Sequence, residues 1–178
     1  MKKHIIIAGH RQVGKSTLLN KLLADYDGPL YGFRTAVGSS MKPGYRSFFM
    51  HAVNCSEQTE SEENHIGDGN GVNHSYYTDV FDNYGVKCLE AKPGGIIIMD
   101  ELGFMENEAE LFKARVLECL DGDIPVLATA KVGMDTEFLN AVLNHPNADV
   151  HYIDKENRDR LYEELRTSFS EFVEGYNE

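Results

Sequence analysis

No apolar run in the chain approaches the roughly 20 residues that a membrane helix needs. The short one near the start, Ile5 to Ala8, is interrupted by His10 and Arg11 despite the Lys2-Lys3 pair ahead of it. No membrane segment and no secretory leader is expected, and the cytoplasm is the expected compartment. Cysteine is sparse too: Cys55, Cys88 and Cys119 stand far apart without CxxC spacing, which argues against a disulfide framework or a zinc knuckle and fits free thiols in a reducing compartment. Basic charge is also short. Lys and Arg total 17 against 29 Asp and Glu, a formal net charge of -12, and neither Lys nor Arg occurs between Arg46 and Lys87. A phosphate backbone is held mostly by clustered cations, so a nucleic-acid partner is disfavoured. Repeats and low-complexity tracts are missing as well. What is left is a globular composition, 42% hydrophobic in short blocks over 178 residues, with room for a single α/β domain spanning 1–178.

What is present reads as alternating strands and helices. "KHIIIAG" is a buried strand, an apolar run closed by glycine; "KSTLLNKLLADY" carries leucines at 18, 19, 22 and 23, one face of a helix. "LYGFRTAV" and "YRSFFMHAV", separated by the turn-forming "GSSMKPG", predict an antiparallel hairpin beside the main sheet. Residues 54–75 are polar, acidic and glycine-bearing and read as a loop. Helical spacing of Tyr77, Val80, Phe81 and Tyr84 predicts a helix within Tyr76 to Ala91, stopped by Pro93-Gly94-Gly95. "IIIMDELG" is a second buried strand, followed by a helix over about 106–120 with Leu111, Val116 and Leu120 on one side. "IPVLATAK" and "ADVHYID" are further strands, "DTEFLNAVLN" and the segment from "ENRDRL" onward further helices. The alternation implies a mostly parallel sheet covered on both faces, in an α/β fold.

The stretch "GHRQVGKST", Gly9 to Thr17, follows the first strand and opens the first helix, with the spacing of a P-loop. Backbone N–H groups there converge on phosphate oxygens while the helix dipole adds positive potential. Gly9, His10, Arg11, Gln12, Val13, Gly14, Lys15, Ser16 and Thr17 are therefore the candidate nucleotide-binding residues. Lys15 is placed for the β- and γ-phosphates, Thr17 for the α-phosphate, and the Ser16 hydroxyl for Mg²⁺.

Asp100, at the end of an apolar strand, suits a Walker B position that holds Mg²⁺ near Ser16. Glu101, directly behind it, can polarise a water for in-line attack, which favours hydrolysis over transfer to an acceptor. Glu106 is expected to cap the next helix, where a negative side chain suits the N-terminus. Arg11 and Arg46 could each neutralise γ-phosphate charge, or be exposed arginines without a role. Arg158 either lines the base or ribose or takes part in an i,i+4 surface ion pair. His65 and His74, nine residues apart without a third ligand, read as loop histidines rather than a metal site.

The loop "GHRQVGKSTLL", "YGFRT" followed by "GYRSFF", "MDELGFME", "IPVLAT" and "NRDRL", in this order and across nearly the whole chain, resemble the THEP1-type nucleoside-triphosphatases, small P-loop proteins. The resemblance implies a RecA-like P-loop core bearing a catalytic glutamate, and slow Mg²⁺-dependent hydrolysis of nucleoside triphosphates with little base preference. It implies phosphate and metal binding by Lys15, Ser16 and Thr17, a Walker B role for Asp100, a base role for Glu101, and a match of Arg46 to the arginine of the family's glycine-Arg-x-x-Phe segment. Two departures stand out. Arg11-Gln12 replaces the family's usual Pro-Gly, placing side chains over the γ-phosphate site. "AVGSSM" replaces a Glu-Val-Arg string, so one arginine is missing, and Lys42 substitutes only roughly because lysine lacks the forked donors.

Two other readings use the same loop. A nucleotide or nucleoside kinase commonly carries an arginine-rich lid, and residues 47–86 contain no arginine. A nucleotide-gated interaction module would use hydrolysis only as a slow timer. A GTPase proper is disfavoured, since no Asn-Lys-x-Asp string is present to read guanine.

Overall fold

Three apolar runs become neighbouring parallel strands because each is buried on both faces, as a strand between two helical layers must be. These are β1 (His4–Gly9), β6 (Ile96–Leu102) and β7 (Val126–Lys131). The computed structural model describes residues 2–174. Between β1 and β6 the chain forms α1 (Lys15–Leu23), β2 (Leu30–Gly38), β3 (Arg46–Ala52), β4 (His65–Gly69), β5 (His74–Tyr76), α2 (Thr78–Val80), a π-helical stretch (Phe81–Gly85) and α3 (Val86–Cys88). After β6 come α4 (Glu110–Asp121), then β7, α5 (Glu137–Leu143), β8 (Ala148–Tyr152) and α6 (Arg158–Glu174). All eight strands share one sheet in the order β5-β4-β3-β2-β6-β7-β1-β8. The five from β2 to β8 run parallel, while β3, β4 and β5 extend the sheet antiparallel.

Strand β7 lies between β1, which leads into the P-loop, and β6, which carries Asp100. That insertion is the RecA-like arrangement, and it brings the end of a third strand into the same cleft. Alternation along the strands sorts the core into two layers. Ile6, Ile97, Met99 and Ala128 face Phe112, Val116, Leu120 and Phe138 of α4 and α5. Ile5, Ile7, Ile98 and Leu127 face Leu18, Leu19 and Leu22 of α1 and Leu161, Leu165 and Phe169 of α6. Each fully buried side chain of this kind contributes about 1.5–3 kcal/mol, so both faces are needed to hold the sheet.

The expected antiparallel hairpin is present, β2 pairing with β3 from Phe33↔Ala52 to Gly38↔Ser47, and it is continuous with the main sheet because β2 also pairs in parallel with β6 from Leu30↔Ile96 to Arg34↔Asp100. Three expectations change. Residues 54–75 are not all loop: β4 is buried along its whole length, and β5 pairs with it. The glycines that signal a turn, Gly67 and Gly69, sit in strand pairs instead. Their order depends on one buried polar knot. Asp68 accepts hydrogen bonds from Ser47 Oγ (2.6 Å) and Tyr77 OH (2.6 Å) and contacts His65 Nε2 at 2.9 Å. Burial alone would raise the Asp68 carboxyl, but these three partners outweigh it and hold it below its ordinary value.

The helix after β6 begins at Glu110 rather than 106, and Leu111 is exposed while Phe112 takes the inward position. Its N-terminus has no local side-chain cap; instead Asp82, on the π-helical stretch, accepts from Phe112 N at 2.9 Å. A donor left over at a helix start is satisfied from 30 residues upstream. Glu106 is not a helix cap. It is buried in the turn after β6, accepting from Gly103 N at 2.6 Å, and burial pushes its carboxyl up to about 7.

Candidate active site

The loop after β1 turns back on itself through two left-handed residues, Gln12 (φ 61) and Gly14 (φ 108). Glycine adopts that conformation without steric cost, and at Gly14 it lets α1 start with its N–H groups turned into the loop. Lys15 is the first helical residue, and its side chain is almost fully buried. Its Nζ donates to Gly9 O (2.9 Å) and His10 O (2.6 Å), and it pairs with Glu101 Oε2 at 2.9 Å.

The carboxylates arrive from β6. Consecutive strand residues normally point to opposite faces, yet Asp100 and Glu101 both reach the loop. The β6–β7 register shifts between Met99↔Ala128 and Leu102↔Ala130, an extra residue on β6 of the kind that re-aims side chains at strand ends. Asp100 Oδ1 accepts from Ser16 Oγ (2.9 Å) and from Thr129 Oγ1 of β7 (2.6 Å). Asp100 Oδ2 lies 3.7 Å from Arg34 Nη1, and that guanidinium also donates to Asn20 Oδ1 of α1 at 2.6 Å. Glu101 Oε1 is 3.2 Å from Lys131 Nζ at the end of β7.

These groups line a cleft of ≈ 300 Å³ bounded by Arg11, Gln12, Gly14, Lys15, Ser16, Thr17, Thr35, Asp100 and Glu101. It opens at the carboxyl ends of the parallel strands, where open α/β sheets bind ligands. A second pocket of ≈ 190 Å³ shares Gly14 and Thr17 and continues along α1 to Leu18, Lys21, Arg158, Asp159 and Tyr162. The Arg158 stem lies beside Gly14, where an added Cβ would sit 3.9 Å from Arg158 Cδ. The i,i+4 ion pair near the start of α6 belongs to Arg160 and Glu164, not to Arg158.

Of the residues singled out in the sequence, Arg11, Gln12, Gly14, Lys15, Ser16, Thr17, Asp100 and Glu101 meet in the one cleft, Gly9 and His10 hold Lys15 through their carbonyls, and Val13 is buried beneath the loop. Arg46 does not join them. It is exposed at the first position of β3, whose next residue Ser47 pairs with Gly38, the last residue of β2. Arg34 and Gly38 are four residues apart on that strand, roughly 13 Å at the usual rise. His65 and His74 are strand residues, His65 facing Asp68 and His74 stacked on Tyr76. Among the described residues no three His, Cys, Asp or Glu side chains group as a metal site.

Sequence reading missed Arg34, Thr35, Thr129 and Lys131. Lys131 carried a signal, a charged residue closing a buried strand, the same one that marked Asp100. Arg34, Thr35 and Thr129 lie within the YGFRT and IPVLAT motifs that carry the resemblance, but those motifs assign them no role, because only the β2–β6 and β6–β7 neighbour relations put Arg34 and Thr129 beside Asp100.

Comparison with known proteins agrees with this geometry. A family model described as NTPase matches residues 4–166. The nucleoside-triphosphatase THEP1 of Methanocaldococcus jannaschii is 27% identical over 165 residues, covering 90% of this chain and 94% of that protein. The crystal structure of THEP1 from the hyperthermophile Aquifex aeolicus superposes with a TM-score of 0.69 at 20% identity, covering 93% of this chain and 98% of that one. The solution structure of a human cancer-related nucleoside triphosphatase gives 0.63, also at 20% identity, over 93% and 96%. With the model spanning nearly the whole chain and its relatives matched along almost their full length, this protein belongs to the THEP1-type nucleoside-triphosphatase family.

Proposed function

We propose that the chain hydrolyses nucleoside triphosphates to the diphosphate and phosphate, with Mg²⁺ and with broad base preference. The observation that carries this reading is Glu101, a carboxylate set against the P-loop lysine and beside the metal-type aspartate. Lys15 and the loop N–H groups take the β- and γ-phosphates, and Thr17 the α-phosphate. Ser16 Oγ and Asp100 Oδ1, 2.9 Å apart, are hard oxygen ligands of the sort Mg²⁺ takes when most of its shell is water and phosphate. When bound, that ion offsets phosphate charge. Glu101 accepts the proton of the attacking water, and Arg34, with Arg11 over the loop, adds positive charge where the phosphate negative charge develops. Arg46 would act only if the β2–β3 hairpin carried it toward the cleft.

The base is read loosely in this account. Lys21, Arg158, Asp159 and Tyr162 form a rim of side chains, three of them exposed, rather than an enclosing pocket.

The test is phosphate release from ATP, GTP, CTP and UTP with Mg²⁺, beside Glu101→Gln and with a mononucleotide acceptor in one arm. Free phosphate from several triphosphates, reduced ~100-fold or more in the variant, is the expected result. Phosphorylated acceptor without free phosphate would mean a kinase. Triphosphate binding without either product would mean a nucleotide-gated module.

A further inference from the structure

We propose that Lys131 is the positioning residue for Glu101, holding that carboxylate in place once a triphosphate has taken Lys15 from it. The inference rests on the hydrolytic reading above and adds to it a residue from the strand between the P-loop strand and the Asp100 strand.

An ammonium has three donors. Those of Lys15 are matched by Gly9 O, His10 O and Glu101 Oε2. A γ-phosphate oxygen therefore engages Lys15 by displacing one of the three. The two carbonyls are fixed in the loop backbone, whereas Glu101 is held only through its side chain. The carboxylate yields, and Oε2 is left free beside the phosphate that displaced it. A freed glutamate has rotamers to explore, and a misplaced base is a poor one.

Lys131 removes that freedom. Its Nζ is 3.2 Å from Oε1, the oxygen that Lys15 does not use. The lysine is itself restrained on two sides. Its ammonium lies 5.2 Å from the centroid of the Phe104 ring, and that ring meets Tyr76 edge-on at 5.4 Å. Its stem lies over Gly103, where a Cβ would come within 3.2 Å of Lys131 Cδ. Both side chains are about four-fifths covered, 21% exposed for Lys131 and 22% for Glu101, so solvent competes little for the pair. Glu101 is thus gripped at one oxygen by a fixed cation while the other faces the reacting water.

The experiment is steady-state turnover of MgATP by Lys131→Met, Lys131→Arg, Glu101→Gln and the Lys131→Met/Glu101→Gln double variant, with triphosphate affinity measured by titration of a non-hydrolysable analogue. Methionine keeps the stem over Gly103 and removes only the charge. Expected are a kcat lowered roughly 10- to 100-fold in Lys131→Met, KM and analogue affinity within about threefold of the parent, partial recovery in Lys131→Arg, and no further loss when Lys131→Met is added to Glu101→Gln. An equal loss in both backgrounds would mean that Lys131 acts on the phosphate directly and would overturn the proposal. So would a raised KM with unchanged kcat. Parental turnover by Glu101→Gln would overturn this proposal and the base reading together, whereas a slow Glu101→Gln with a neutral or additive Lys131→Met would overturn this proposal alone.

Discussion

Glu106→Gln should stabilise the protein, and by an amount that depends on pH. Glu106 is 1% exposed, and one of its oxygens accepts from Gly103 N at 2.6 Å. Burial raises its carboxyl from 4.5 to about 7, against the lowering effect of the backbone hydrogen bonds and of Lys131. The folded state therefore prefers the neutral acid. Below about pH 4.5 both folded and unfolded chains hold the proton and this preference is fully available; as pH rises through 7 it is lost, because the unfolded chain ionises freely and the folded one must ionise in a buried turn. At 1.36 kcal/mol per pH unit of displacement, the penalty above pH 7 is roughly 3 kcal/mol, and near pH 5 it is below about 1 kcal/mol. Glutamine keeps an oxygen for Gly103 N–H and never ionises. Urea unfolding at pH 5 and pH 8 should then show Glu106→Gln more stable than the parent by roughly 2–3 kcal/mol more at the higher pH. Equal differences at the two values, or a variant less stable than the parent at pH 8, would refute the reasoning.

Other perturbations separate the cations and the polar knot. Arg34→Ala removes the guanidinium that faces Asp100 and ties α1 through Asn20, and kcat should fall about 10-fold or more, whereas Arg46→Ala, outside the cleft, should stay within about threefold in the same phosphate-release assay. Lys15→Ala should weaken triphosphate binding about 10- to 100-fold, the worth of a lost charge-assisted hydrogen bond. Glu101→Gln frees that lysine and removes a negative charge from the phosphate site, so analogue titration should show affinity retained or several-fold tighter while turnover is lost. Asp68→Asn leaves one of its three donors unmatched and should cost roughly 1–3 kcal/mol near neutral pH. Since the Asp68 carboxyl is held below its ordinary 3.8, its contribution is present above that value and declines as pH falls further, which acid denaturation of parent and variant would reveal.

The sequence by itself determined whatever depends on residues close along the chain. A strand, a glycine-containing loop and a helix N-terminus within residues 4–23 suffice to define a phosphate cradle, because its donors are consecutive backbone N–H groups. Asp100 and Glu101 were legible in the same way, as charges closing an apolar run. Residues 54–75 were misread because strand β4 has almost no apolar periodicity of its own; HIGDG is buried by pairing and by the Asp68 knot, not by its composition. The tertiary structure alone decided the neighbours of the two carboxylates. Lys131 and Thr129 lie about 30 residues beyond Asp100, and Arg34 lies 66 before it, yet sheet order sets all three beside β6. Strand order is fixed by how apolar faces are covered across the whole sheet, a global balance that no local pattern encodes. It also placed Arg34, rather than Arg46, at the cleft, since register along β2 and not the spacing of motifs determines which arginine reaches Asp100.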